Sequence, residues 1–395
     1  MKKTIYLSLI ASLFTTLVSA ADLYVRDLGA GGAFTTITAA INAAADGDRI
    51  IIRRKAVGSS YTENLVINKS LTFISENNFE KYLVQGTVSI TPLAGRVVSI
   101  NNIELLSNIT VSAATTGGRT TLNVMNCIVN NVFAQQPNTT LNISGSLFTS
   151  TQLTHGKVTK NTCNYIDVAG TSNETSLATE DIEIIANAMG SNTNQTTLNS
   201  IFYNLKFYNN YCSGQIGIRY MKDSSTCEIF NNTILGGAFP PLYIDVSGGT
   251  GSAINISNNI LSKNSSSEKH IFRTPTSLNS TNPIINAYNN LASGSTFDTS
   301  PINISSNNTG SNSLTFNSTT YTVTGANVNA GLPTDEFRDL DLSVNDIGNF
   351  GGSNSWENYW PTGVGNKPQV NYLNTPRRIF TGTTTMTAKA SGYSK

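Results

Sequence analysis

The sequence predicts an all-β solenoid, a parallel β-helix, on three observations: a recurring Asn-centred phrase, alternation of apolar with polar residues, and very little charge. The phrase reads Ile100-Asn101-Asn102-Ile103, Met125-Asn126-Cys127-Ile128 and Lys160-Asn161-Thr162-Cys163. It returns as Tyr208-Asn209-Asn210-Tyr211, Phe230-Asn231-Asn232-Thr233-Ile234, Ser257-Asn258-Asn259-Ile260-Leu261 and Tyr288-Asn289-Asn290-Leu291. A degenerate copy, Ile143-Ser144-Gly145-Ser146-Leu147, sits where another is due. Copies lie roughly 16 to 31 residues apart, with one double-length gap, which is the period of stacked coils. Each copy is a short strand, a bend at Asn and another short strand. Asn suits the bend because it tolerates the left-handed region, and stacked Asn side chains can hydrogen-bond along a solenoid.

Composition agrees. Charged residues are 12% of the 395, the formal net charge is +1, and Asn alone is about one residue in eight. That balance excludes an electrostatic footprint for nucleic acid or acidic lipid. The frequency of Ile, Val, Phe and Tyr between the polar residues argues for strands over disorder. A solenoid also explains a single domain of this length, since each coil contacts only its neighbours.

The first twenty residues read as a signal peptide. Lys2 and Lys3 precede an apolar run from Ile5 to Val18, and Val18-Ser19-Ala20 is a small-x-small cleavage site before Ala21 or Asp22. The run is too short for a transmembrane helix with ordinary flanks. The expectation is therefore an exported protein, secreted or on the outer cell surface. Asp22 to Asp27 reads as a strand and Gly29 to Gly32 as a turn. Thr35-Thr36 opens a helix over about 35–45, with Ile37, Ala40, Ile41 and Ala44 on one face. Asp46-Gly47-Asp48 ends it, and Arg49-Ile50-Ile51-Ile52 is the next strand.

The run from Phe34 to Asp48, with Tyr61-Thr62-Glu63-Asn64 and Ile67-Asn68-Lys69-Ser70-Leu71, resembles the opening of secreted right-handed parallel β-helix proteins of the pectin lyase-like superfold. The resemblance implies that the helix plugs the N-terminal end of the stack, covering its core and its unpaired edge. Residues Asp335 to Asp341 and Asn345 to Gly352 resemble a segment that closes the solenoid in surface proteins of Bacteroidota. On this reading the β-helix spans 21–365. Residues 366–395 are a strand-like tail with alternating Val370, Tyr372, Ile379 and Met386. Between Asn264 and Asn329 the Ser, Thr and Asn content predicts long inter-coil loops and poorer strands.

Chemistry is harder to read. Enzymes with this scaffold mostly cut polysaccharides: a lyase needs a Lys or Arg base, and a hydrolase needs converging carboxylates. The local candidates are Arg219 and Lys222 in Ile216–Asp223, and Glu183 in the cluster Glu180-Asp181-Ile182-Glu183. Strand alternation sets Arg219 and Lys222 on opposite faces unless a bend intervenes. His155 lacks the Asp pairs that would accompany it in a hydrolase resembling a polygalacturonase. Tyr208, Tyr211 and Tyr220, within a run of aromatics that includes Tyr243, are candidate sugar-stacking residues. Asp339, Asp341, Asn345 and Asp346 gather oxygen donors that suit Ca²⁺, the alternative being a turn whose carboxylates cap backbone amides. No other cofactor is expected. Cys127, Cys163, Cys212 and Cys227 read as small apolar residues pointing inward rather than as disulfide partners.

The sequence thus favours a non-catalytic glycan-binding, structural or adhesive surface protein. The rivals are a polysaccharide lyase or glycoside hydrolase of the same fold, and a filament subunit that self-associates through its coil ends. The partner expected is a polysaccharide or cell-surface glycan.

Overall fold

The computed structural model describes residues 20–77, 80–169, 174–190, 195–237, 239–274, 283–360, 369–374, 385 and 389–393. The expected signal peptide therefore lies outside the described residues, except for Ala20. So do Ile379 and Met386 of the tail. The chain is a right-handed parallel β-helix whose cross-section has three strand-bearing faces. The first face is a thirteen-stranded parallel sheet running from Asp22–Val25 through Arg49–Ile52 and Thr72–Ser75 to Ala253–Ser257, Ile284–Tyr288 and Ile304–Ser306. Strands Ile103–Val111, Ile128–Ala134 and Leu147–Leu153 carry the second and third faces in one run. Later coils split them, as in Tyr211–Cys212 followed by Ile216–Tyr220.

Alternation dictates the core. Inward residues of the first sheet pair in register as Ile50, Phe73, Ile100, Val124, Ile143, Val158, Ile184, Phe207, Ile229, Ile256 and Ala287. Each is at most 2% exposed. Burial of such a side chain contributes about 1.5–3 kcal/mol, so one column of this kind supplies a large share of the driving force. Coil length varies: Thr140 lies beside His155, 15 residues on, whereas Asn259 lies beside Asn290, 31 residues on. The shortest coil needs Gly156, because a Cβ there would lie 1.8 Å from the Leu141 carbonyl oxygen.

The Asn phrase forms the corner between the first and second faces, and its two positions do different work. The first holds the left-handed backbone: Asn102, Asn126, Asn209, Asn231, Asn258 and Asn289 have φ from 50° to 62°, with Gly145, Lys160 and Ala186 in the equivalent place. The second turns inward and stacks. Asn161, Asn187, Asn210, Asn232, Asn259 and Asn290 are all 0% exposed. From Asn187 on, each Oδ1 accepts from the backbone amide and the Nδ2 of the coil before it, as at Asn210 to Asn232 (2.8 and 3.1 Å) and Asn232 to Asn259 (2.9 and 2.9 Å), while Asn161 Oδ1 accepts from the Ser146 amide. Each Nδ2 also donates to a first-sheet carbonyl, as Asn232 does to Phe207 at 2.8 Å. No buried amide in the row is left unmet, which is what makes so polar a residue tolerable there.

Two copies escape the sequence pattern. Ile185-Ala186-Asn187-Ala188 fills the double-length gap, with Ala186 in the left-handed region, and Asn308 ends the row by accepting from Asn290. The four cysteines are free and buried, as expected. Cys163 and Cys212 share an inward column with Met189. Cys127 instead heads the Asn row, its amide donating to Ser146 Oγ at 3.0 Å.

Helix α1 (Ile37–Ala43) closes the N-terminal end, with Thr36 as its cap and Ile37, Ala40 and Ile41 buried against the first coils. Glu63 accepts from the amides of Ile37 and Thr38 at its N-terminus, and Lys69 donates to the carbonyls of Ile41, Asn42 and Ala44 at its C-terminus. Both charges complement the helix dipole. Phe34 bridges to Val25 and blunts the edge of the first strand. At the far end, Ile304–Ser306 is exposed throughout.

The segment after the last coil departs from expectation. It does not merely end the solenoid; it folds back along the Asn corner towards the N-terminus. Leu332 donates to Asn258, Asn231 donates to Asn345 and to the Asp346 carbonyl, and Asn209 donates to the carbonyls of Asn349 and Gly351. Trp360 Nε1 reaches the Ala186 carbonyl at 2.8 Å. This strap ends in α2 (Trp356–Tyr359), which packs with Phe350 and Trp360 on Ile185, Ala188, Tyr208 and Tyr211. Beyond it, Gln369–Asn374 and Lys389–Tyr393 pair as an antiparallel hairpin. Among the described residues no helix is long and apolar enough to cross a membrane.

Candidate functional site

The outer surface of the first sheet carries Glu183 within a row of charges. Lys157, Glu183, Lys206 and Glu228 occupy successive coils in register. Signs alternate along the row, so the charges satisfy one another: Lys157 Nζ lies 3.3 Å from Glu183, and Lys206 Nζ lies 2.7 Å from Asp181. Glu228 accepts from the Tyr208 hydroxyl. Glu183 is 7% exposed in the middle of this row. Asp181 is held below the usual carboxylate range; burial opposes that, and the Lys206 and Asn204 contacts outweigh it. His155, at the edge of the sheet, is buried against Tyr203, with ring centroids 4.5 Å apart. Its two nitrogens meet Thr140 and the Glu180 carbonyl, and burial lowers its pKa. Beside it Arg119 binds Glu174, Tyr203 and the Thr139 and Ser176 carbonyls, a network that staples one loop over several coils.

Arg219 and Lys222 are elsewhere. They follow Ile218 on the third face, where the register to the next coil shifts between Ile218 and Tyr220. That bend overrides simple alternation: Arg219 and Tyr220 are both exposed and Met221 is buried. The structure therefore separates Glu183 from Arg219 and Lys222 by placing them on different faces.

Tyr208 and Tyr211 are covered. They are 4% and 3% exposed beneath the strap, Tyr208 stacked on Phe230 at 5.4 Å and Tyr211 against Tyr321 at 5.0 Å. Neither offers a free ring face to a sugar. A shallow cleft remains where Phe230 and Phe337 meet Ser353 and Asn354. Tyr220, the third candidate, is 49% exposed.

The acidic turn of the strap uses its oxygens internally. Asp339 accepts from the amides of Gly352 and Asp346, at 2.5 and 2.9 Å, and Asp346 from that of Asn329 at 2.7 Å. Asp341 accepts from the amide and hydroxyl of Ser343. Asn345 Oδ1 is taken by Asn231. Burial raises the pKa of Asp339 to about 6, with Asp346 and Asp341 adding to the rise, and burial also raises that of Asp346. This is the amide-capping arrangement. Among the described residues no three His, Cys, Asp or Glu side chains gather as a metal site.

Among the described residues the third face carries an open stacked pair of aromatics, and the sequence placed only part of it. Tyr243 and Phe272 pair in register on successive coils, stacked with centroids 5.6 Å apart and 16° between planes. Both are half-buried. The preceding residue of that column is Gly217. Its missing side chain lets the Gln195 amide lie across the strand, since a Cβ there would be 1.9 Å from Gln195 Nε2. Gln195 donates to Gln215 at 2.9 Å, and Gln215 to the Pro240 carbonyl at 3.0 Å. Arg219 lies against Gln195, its amide bound by Asn199. Asp245 accepts from Thr274 at 2.6 Å. Phe272, Gln195 and Gln215 went unnoticed because the spacing from the Asn corner to this face changes from coil to coil. A ring-pair platform edged by amides and an arginine can stack on an apolar sugar face and exchange hydrogen bonds with hydroxyls.

No known family model, curated protein or solved structure matches this chain.

Proposed function

We propose that this is an exported glycan-binding solenoid that is non-catalytic towards the glycan it binds, a relative in architecture of the pectin lyase-like superfold, acting at the cell surface or beyond it. The observation that carries the reading is the stacked Tyr243–Phe272 pair, the open ring surface flanked by Gln195, Gln215, Arg219 and Tyr220. The low charge of the whole chain favours a neutral polysaccharide over an acidic one. A catalytic reading has less behind it: the carboxylates of the first sheet are matched by lysines, and the lyase candidates Arg219 and Lys222 sit on another face. The resemblance of the N-terminal run to secreted β-helix proteins supports export.

The test is titration of the mature protein against a polysaccharide panel, with and without Ca²⁺, while absorbance of unsaturated products is followed. Binding should weaken about tenfold in Tyr243→Ala, or about 1.4 kcal/mol, and less in Tyr220→Ala. It should be untouched in Tyr208→Phe, whose ring stays under the strap. Binding that survives Tyr243→Ala and Phe272→Ala together rejects this platform. Product formation that disappears in Lys222→Ala or Arg219→Ala makes the protein a lyase instead.

A further inference from the structure

His270, directly ahead of strand Ile271–Arg273, is 0% exposed and makes contacts on both ring nitrogens. Nδ1 stands 2.7 Å from Asp298 Oδ1, and Nε2 stands 3.3 Å from Ser295 Oγ. Nδ1 also lies 3.2 Å from the Asp298 amide nitrogen, but the shorter, charge-assisted contact with the carboxylate favours the proton on Nδ1, which leaves the Nε2 lone pair facing the serine hydroxyl. Asp298 is itself fixed, with Lys263 Nζ 2.9 Å from each of its oxygens and Lys269 Nζ at 3.6 Å. Phe297 lies flat on the imidazole, 5.5 Å away and 7° from parallel, so the ring cannot turn without losing that contact.

The serine is differently placed. Ser295 is half-buried, its neighbour Thr296 is exposed, and Gly294 before it takes φ 75°, so a sharp turn carries the hydroxyl at the solvent boundary. Among the described residues, the backbone amides of Ser295 and Thr296 have no hydrogen-bond acceptor. A buried, oriented imidazole between an anchored carboxylate and a solvent-edge serine is the arrangement that activates a hydroxyl nucleophile.

We propose that Ser295, His270 and Asp298 form a nucleophilic centre that cleaves small carboxylic esters by acyl transfer. Ser295 Oγ attacks the ester carbonyl carbon as His270 Nε2 takes the hydroxyl proton. The C–O bond to the alcohol then breaks, and the alcohol leaves with that proton. Water, deprotonated by Nε2, attacks the acyl-serine; the acid departs and the proton returns to Ser295. Asp298 stays ionised throughout and holds the ring. The step consumes only ester and water, and it stands apart from the glycan reading.

The mature full-length protein would be incubated with a fluorophosphonate probe and its intact mass recorded, alongside hydrolysis of p-nitrophenyl acetate. One adduct should form, mapped to Ser295, and Ser295→Ala should abolish it with the thermal melt unchanged. His270→Gln should slow labelling and hydrolysis at least tenfold. Because His270 is buried, Asp298→Asn gives a second probe of the ring, again with at least a tenfold loss in a folded protein. A folded wild type that takes up no probe overturns the proposal, as does an adduct that persists in Ser295→Ala. Either result leaves the Tyr243 titration as it was.

Discussion

The N-terminal cap and the C-terminal strap both shield apolar surface of one solenoid, yet they are built from opposite materials. The cap covers the end of the stack with a seven-residue helix, and charge holds it: Glu63 at one helix terminus, Lys69 at the other, Asp48 on two amides, and Glu76 between Arg26 and Arg53. The strap covers a flank and is held by aromatic packing, with Trp356 against Tyr321, Phe350 and Trp360, and by neutral amides from the Asn corner. The difference teaches what each site demands. A solenoid end exposes unpaired strand edges and helix termini, where full charges are well placed. The flank already has its backbone bonds satisfied, so only side-chain packing and the left-handed Asn residues remain to be recognised.

Removing a strap aromatic should break the comparison most visibly. Trp356 is 3% exposed, and Trp356→Ala should cost about 3–5 kcal/mol of strap stability. Both tryptophans of the chain, Trp356 and Trp360, lie in the strap, so tryptophan fluorescence reports it alone. The variant should lose the fluorescence transition at lower denaturant while far-ultraviolet circular dichroism of the coils melts where it did. Coincident loss of both signals would mean that strap and solenoid are one cooperative unit. Glu63→Ala addresses the other end with a smaller effect, about 1 kcal/mol, because it strips two amide partners from the start of α1. Hydrogen exchange of residues 37–44 should speed up and that of the strap should not change.

The two ends also differ in how far the sequence revealed them. Helix α1 was legible because its pattern is local: Thr36, then Ile37, Ala40 and Ile41 on one face. Much of the strap was legible as a closing segment, Asp335 to Asp341 and Asn345 to Gly352, but its path was not, because the partners Asn209, Asn231 and Asn258 lie more than a hundred residues away for most contacts. The Asn row was readable where an apolar residue flanks the Asn turn, and it was missed at Asn307-Asn308, which Ser306 and Thr309 flank. It was also missed where Ala186 takes the left-handed backbone, since nothing in an alanine announces a positive φ. For the candidate site the loss has one cause. Tyr208 and Tyr220 look equally available along the chain, but one is roofed by a distant segment and the other is turned outward by a register shift between Ile218 and Tyr220. Alternation describes a strand, not what is laid over it.

Acid should sharpen the comparison, since the cap carboxylates Asp48 and Glu76 and the buried strap carboxylates Asp339 and Asp346 are displaced in opposite directions, the exposed Asp341 going with the cap. The amides of Ala21 and Ala45 hold Asp48 below the usual range, and the Arg26 guanidinium does the same for Glu76. A depressed folded pKa means that the unfolded chain takes up the proton first. The cap contribution is therefore complete above the ordinary carboxylate range and drains away as pH falls through it. In the strap, burial raises Asp339 to about 6 and shifts Asp346 upward as well. There the folded form binds the proton more readily, so stability is gained as pH drops from about 7 towards 5. Hydrogen exchange, corrected for intrinsic rates, should show residues 349–360 more protected at about pH 5 than at 7.5, with residues 37–44 losing protection only below about pH 4. Asp339→Asn keeps the geometry but cannot titrate, and it should flatten the strap's response while leaving the cap's intact. A strap that loosens in step with the cap would show that the buried Asp339 is not what its pH dependence reads.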